Sequence, residues 1–214
     1  MQVVRAHQRT ILFACAAVLA ASACTLTGPT GGTAIVRTPG RARIEWQPDL
    51  PVASEPFDGL QANWKQRLNQ PYVFVELEGS YTRIGVALQE AERAMRAQGL
   101  EASGPPFALY YDDPGRVPAE ALTARACFPV RTPLTPASPL RYDLLESTTV
   151  VYAFVAGPYP DVPRAYPAMF RYMQGLDWTE NGPIREVYLV NPAEVADFSQ
   201  LVTEVQIPAT NQGP

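Results

Sequence analysis

Val73-Phe-Val-Glu-Leu-Glu-Gly-Ser-Tyr-Thr82 decides the fold, because it recurs in kind at Val150-Val-Tyr-Ala-Phe-Val-Ala-Gly-Pro-Tyr159. In both stretches a β-branched and aromatic run ends at a glycine, with a tyrosine two residues later, as a strand meeting a turn should. Gly79 and Tyr81 stand 78 residues before Gly157 and Tyr159, and the same offset relates Gly104-Pro105 to Gly182-Pro183, Tyr110 to Tyr188 and Pro114 to Pro192. It is 76 between Gln98-Gly99-Leu100 and Gln174-Gly175-Leu176, and 79 between Pro129 and Pro208. A register held this long, with slips of one or two residues, describes two equivalent structural units whose length changes sit in loops.

Each unit reads as strand, helix, strand, strand, over about 72–130 and 149–209. Ile84, Leu88, Ala91 and Met95 recur at spacings of three and four, which predicts an amphipathic helix ended by Gly99. In the second unit Pro163 and Pro167 confine the helix to Arg164–Gln174. The paired strands are expected at 107–111 and 122–130, and again at 184–190 and 201–207, with an extra strand over 141–146 between the units. The fold class is therefore α+β: a duplicated β-α-β-β unit forming an antiparallel sheet, with two helices on one face and a ligand cleft on the other. Residues 40–70 give weaker signals, a short strand over Ala42–Trp46 and a helical turn or two over Leu60–Leu68.

Several stretches together resemble the gyrase inhibitor-like (GyrI-like) small-molecule-binding family, which also forms the effector-binding part of multidrug-sensing transcription regulators. They are VFVELEGSYT (73–82), GPPFALYYDDP (104–114), REVYLVNP (185–192) and LVTEVQIPA (201–209). The resemblance covers about 138 of the 214 residues and implies two SHS2-like modules over 71–210, flanking a cleft for a lipophilic, often cationic, ligand with a glutamate at its floor. No helix-turn-helix region precedes the domain, so a transcriptional role is not expected.

Alternation in Ile184–Val190 puts Val187 and Leu189 on one face and Glu186 with Tyr188 on the other. The apolar face is expected under the helices, leaving Glu186, Tyr188 and its repeat partner Tyr110 on the open face. The first unit has Ala108 where the second has Glu186. A carboxylate on a central strand has its ionised form penalised by desolvation, which suits a cation receptor or an acid-base group. Alternatively Glu186 lies at a solvated edge or pairs with an arginine. Trp178 and Phe198 are candidates to wall the cleft, although an isolated aromatic is as readily core. Glu204, in the family-like TEV segment, is the second candidate carboxylate, and Cys127 reads as a small buried hydrophobe.

Ahead of the repeat, Met1–Arg9 carries Arg5, His7 and Arg9 without an acid, and an apolar run over 11–21 leads into Ala21-Ser22-Ala23-Cys24. This layout is that of a signal peptide over 1–23. It resembles the bacterial lipoprotein cleavage box, which implies lipidation of Cys24. The expected location is the bacterial cell envelope, with Thr25–Pro39 as a flexible tether within 24–70 and residues 211–214 as a tail. Loss of Arg5 and Arg9 from 17 basic residues leaves 15 against 21 acidic ones, so no nucleic-acid partner is expected. The only histidine, His7, leaves with the leader, which excludes histidine-based nucleophilic catalysis and imidazole metal sites from the mature chain. No metal and no cofactor is expected. Three functions follow: a membrane-anchored receptor for a lipophilic or cationic small molecule, favoured over an enzyme; a hydrolase of strained, electrophilic compounds with Glu186 as acid or base and Tyr188 or Tyr110 assisting; or an envelope protein-interaction module.

Overall fold

The computed structural model describes residues 48–211. The signal peptide, Cys24, the tether and the Ala42–Trp46 strand lie outside the described residues, as do residues 212–214. After a two-residue strand β1 (Val52–Ala53), β2 (Asn63–Arg67) replaces the helical turn expected over Leu60–Leu68. The ladder of β2 with a distant strand supplies its backbone bonds, and no local pattern in Trp64-Lys65-Gln66-Arg67 announces that pairing.

The first unit comprises β3 (Gln70–Glu78), α1 (Ile84–Ala97), β4 (Phe107–Tyr110) and β5 (Thr123–Pro129). The intervening β6 (Arg141–Leu145) matches the expected extra strand. The second unit comprises β7 (Thr148–Ala156), α2 (Tyr166–Gln174), a short β8 (Trp178–Glu180), β9 (Ile184–Tyr188) and β10 (Val202–Asn211). Pro163 lies in a 3-10 turn over Tyr159–Ala165, so α2 begins two residues later than expected. A missing N–H is tolerated there, ahead of the regular helix.

The strands follow the order β1-β7-β10-β9-β4-β5-β3-β6, with β2 also on β7 and β8 on β10. The two units therefore meet at the antiparallel β4–β9 ladder. They meet a second time. Only Leu68 and Asn69 separate β2 from β3, and only Glu146 and Ser147 separate β6 from β7. Arg67 opposes Thr148 and Gln70 opposes Leu145 in one shared antiparallel register. The two ends of the strand order are thus joined through a corner, and the sheet closes around an interior. Arg185 on β9 accordingly reaches Gln70 on β3, at 2.5 Å. Along a flat sheet these strands would lie three ladder spacings, roughly 14 Å, apart.

Closure gives the sheet two surfaces that both need apolar residues. Tyr72, Phe74, Phe107, Leu109, Cys127 and Val187 fill the interior. On the outer surface α1 places Ile84, Ala87, Ala91 and Met95 against β3 and β5, and α2 places Met169 and Met173 against β7 and β10. The expected face assignment is thereby corrected. Val187 faces the interior, whereas Glu186, Tyr110 and Tyr188 share the surface that carries the helices. Alternation along β9 sorts its residues correctly into two sets, but the apolar set is wanted inside the closed sheet. Each helix covers the outer strands of its own unit, so the polar set on β4 and β9 comes to lie between them.

Candidate functional site

Glu186 occupies the middle of β9, paired with Ala108 on β4 and Val205 on β10. It is only 2% exposed. Tyr166, at the first turn of α2, donates its hydroxyl to Oε1 at 2.5 Å. Oε2 lies 3.0 Å from the Tyr188 hydroxyl and 3.2 Å from that of Tyr110, and these two hydroxyls are 2.9 Å from one another. Each phenol owns one proton, so Tyr110 and Tyr188 share theirs between the carboxylate and each other.

A second pair of tyrosines holds this group in place. The Tyr81 ring meets Tyr110 edge-on at 4.8 Å between centroids, and Tyr159 meets Tyr188 at 4.4 Å. The Tyr81 hydroxyl lies 3.0 Å from the carbonyls of Asp112 and Thr123 and accepts from the Asp112 N–H at 2.9 Å. Its repeat equivalent Tyr159 donates to the Val190 carbonyl at 3.1 Å. Both rings are thus pinned to the backbone following β4 or β9, and five of the ten tyrosines gather around one carboxylate.

Burial pushes the Glu186 carboxyl up to about 7, against the opposing effect of the hydrogen bonds from Tyr166, Tyr188 and Tyr110. Burial, reinforced by that carboxylate, holds the phenols of Tyr110, Tyr166 and Tyr188 far above their ordinary range. Among the described residues no arginine or lysine pairs with Glu186, and none of the groups that shift it is cationic. Its negative charge is therefore solvated by neutral phenols alone, a setting in which an added cation gains strongly. Tyr81, Tyr110, Tyr159 and Tyr166 are each partly exposed, so the group borders solvent although Glu186 does not.

Of the residues singled out from sequence, the structure brings together Glu186, Tyr188 and Tyr110. It does not bring Glu204 or Trp178 to them. Glu204 opposes Val187 in the β9–β10 ladder and so faces the interior, where Lys65 pairs with it at 2.7 Å. Trp178 packs beside the α2 core and meets Trp64 at 5.7 Å between centroids. Phe198 is exposed in the turn before β10. Tyr81, Tyr159 and Tyr166 were not expected as site residues. The repeat does carry a signal for the first two, which stand at equivalent positions; Tyr166 has none, since the 78-residue offset places it on Leu88. No cluster of three or more metal-ligating side chains occurs among the described residues.

The family model for the GyrI-like small molecule binding domain matches residues 65–210. The chain belongs to this family. The GyrI-like domain here is similar in fold to the C-terminal domain of EcmrR, at 18% identity and a TM-score of 0.63, covering 71% of this chain and 98% of that one. Against EcmrR in its DNA complex with RPo the identity and TM-score are the same, but this chain spans only 58% of that chain. A hydrolase from Listeria innocua is similar at 12% identity and a TM-score of 0.52, covering 70% of this chain and 92% of its own. SAV2435 bound to tetraphenylphosphonium is similar at 12% identity and a TM-score of 0.51, with 70% and 94% covered. No curated protein matches the chain.

Proposed function

We propose that this GyrI-like domain is a receptor for a lipophilic cation, which lies between α1 and α2 with its charge on Glu186 and its apolar part against the tyrosine rings. The observation that carries this reading is a fully buried carboxylate with three phenol donors and no cationic partner among the described residues. The cation of the ligand supplies the missing opposite charge, and the rings supply cation-π and apolar contact. Tetraphenylphosphonium, the ligand in the SAV2435 structure, has this chemistry. Titration calorimetry with tetraphenylphosphonium at pH 8 tests the proposal. Binding by the wild type and a loss of at least about tenfold, or 1.4 kcal/mol, in Glu186→Gln are expected. Equal affinities would remove Glu186 from the site.

A hydrolytic reading draws on the same residue. A carboxyl poised near 7 beside phenols is placed to act as a general acid or base, and one structural neighbour is a hydrolase. Consumption of a strained electrophilic compound by the wild type but not by Glu186→Gln would establish it, whereas unchanged ligand recovered after binding favours the receptor. We further propose that lipid on Cys24 tethers the domain to the cell envelope, as the charged leader, apolar run and Ala21-Ser22-Ala23-Cys24 box suggest. Labelling with a radioactive fatty acid, lost in Cys24→Ser, tests the tether. The acidic balance of the chain argues for a small molecule and against nucleic acid as the partner.

A further inference from the structure

The interior of the closed sheet holds a second charged cluster, of opposite sign to the first. Arg185 precedes Glu186 on β9 and points the other way, into the interior, where it is 5% exposed. Its guanidinium lies 3.9 Å from the centroid of the Phe107 ring. Nη2 donates to Gln70 at 2.5 Å and Nη1 to Gln206 at 3.3 Å, both neutral acceptors, while Nε is buried with no partner among the described residues. A guanidinium has five N–H groups to place. Arg67, entering from β2, is similar: one Nη donates to the Glu146 carbonyl at 2.9 Å and its buried Nε has no partner among the described residues.

The nearby carboxylate is already engaged. Glu204 is 2.7 Å from Lys65 and accepts from Gln206 at 2.7 Å. A second carboxylate, Asp49, accepts from the Tyr152 hydroxyl at 2.7 Å, and Lys65 lies over that ring at 4.0 Å from its centroid. The proximity of Arg67 adds to burial in lowering the Arg185 guanidinium to about 10. It remains charged at neutral pH. A buried guanidinium with an orphaned donor beside a second, half-buried one is costly unless an anion joins them. Lys65 and Arg67 are only half-buried, so the cluster reaches solvent along β2.

We propose that this end of the interior binds a small oxyanion, a phosphate or a carboxylate, on the unpartnered Nε of Arg185 and on that of Arg67. The planar edge of a guanidinium matches two oxygens of either group. The site is separate from the Glu186 cleft, on the other side of the sheet, and stands whether or not that cleft binds a cation.

The test is thermal unfolding of the full chain at constant ionic strength, with sodium chloride replaced stepwise by sodium phosphate or sodium acetate. A saturable rise in Tm with at least one of the two is expected, roughly 5–10 °C at about a hundredfold excess over Kd; the arm that responds identifies the oxyanion. Arg67→Gln should lose most of the rise. Arg185→Met, which exchanges a buried charge for an apolar chain, should fold and lose it entirely. Glu186→Gln should keep it. No rise over the chloride control with either anion, or the same rise in Arg67→Gln as in the wild type, would overturn the proposal.

Discussion

Ala108 and Glu186 face each other across the β4–β9 ladder and occupy equivalent positions in the two repeats. The centre of the seam between the two repeats is therefore chemically one-sided, with a methyl group on one strand and a carboxylate on the other. Ala108 is fully buried beneath Ile84 and Ala87 of α1, while Glu186 is bonded from Tyr166 of α2. A lipophilic cation would lie with its charge toward α2 and its apolar body against the tyrosine rings beside Ala108, whose own face α1 covers. Ala108→Leu should then push α1 and the rings into the space of the body without touching the charge. We expect tetraphenylphosphonium affinity to fall more than tenfold by calorimetry, with a stability loss of about 1–3 kcal/mol from overpacking. An unchanged affinity would place the apolar body elsewhere.

The elevated carboxyl makes stability and binding depend on pH in opposite directions. Glu186 titrates near 7 in the folded chain and near the usual carboxylate range when unfolded, so between those values the folded state holds the extra proton. Stability should be fully present at the acid end and fall as pH rises from about 4.5 to 7, by on the order of 3 kcal/mol, then level off. Urea unfolding of the wild type and Glu186→Gln from pH 4 to 8 isolates this contribution, which should vanish in the variant. Cation affinity should instead climb over the same window as the carboxylate ionises.

Much of this arrangement was legible before the fold was known. The repeat carried both β-α-β-β units and the equivalence of Tyr110 with Tyr188, and alternation along β9 separated Glu186 from Val187. What alternation could not supply was the surface each set faces. That depends on the corner at Leu68-Asn69 and Glu146-Ser147, where segments about 80 residues apart share a register. No periodicity within β2 encodes a partner so distant, and the same gap hid the interior position of Glu204. Tyr166 was invisible for a related reason: it reaches Glu186 by the way α2 docks on β7 and β10, and docking is a tertiary property.

Among the described residues Tyr166 is the only donor to Oε1, whereas Oε2 has two. Tyr166→Phe should therefore strand one oxygen of the buried carboxylate, an omission that costs about 1–3 kcal/mol when the group is ionised and little when it is protonated. The midpoint of the pH dependence of tetraphenylphosphonium binding should move upward from about 7. Tyr188→Phe, which leaves Tyr110 available to Oε2, should move it less. Equal shifts in the two variants would argue that the three phenols act as one pool.

The turns that aim the outer tyrosines depend on two glycines. Gly79 has φ +106° and Gly157 φ +133°, and each donates its N–H to a repeat-related carbonyl, Leu122 at 2.8 Å and Leu201 at 3.0 Å. A methyl group at Gly157 would meet nothing within 4 Å, and one at Gly79 only the tip of Arg83. The cost of alanine is thus conformational rather than steric. Gly79→Ala and Gly157→Ala should each lower stability by about 1–3 kcal/mol, seen as a lower urea midpoint with an unchanged slope. Gly85 provides the contrast, since it lies in the first turn of α1 with an equally open surrounding and no positive φ. Gly85→Ala should stabilise the chain by up to about 1 kcal/mol. Because each turn delivers its tyrosine to the ring that touches Glu186, the two destabilised variants should also lose tetraphenylphosphonium affinity, and Gly85→Ala should not. A loss of stability without any loss of affinity would show that Tyr81 and Tyr159 find their rings without the turn.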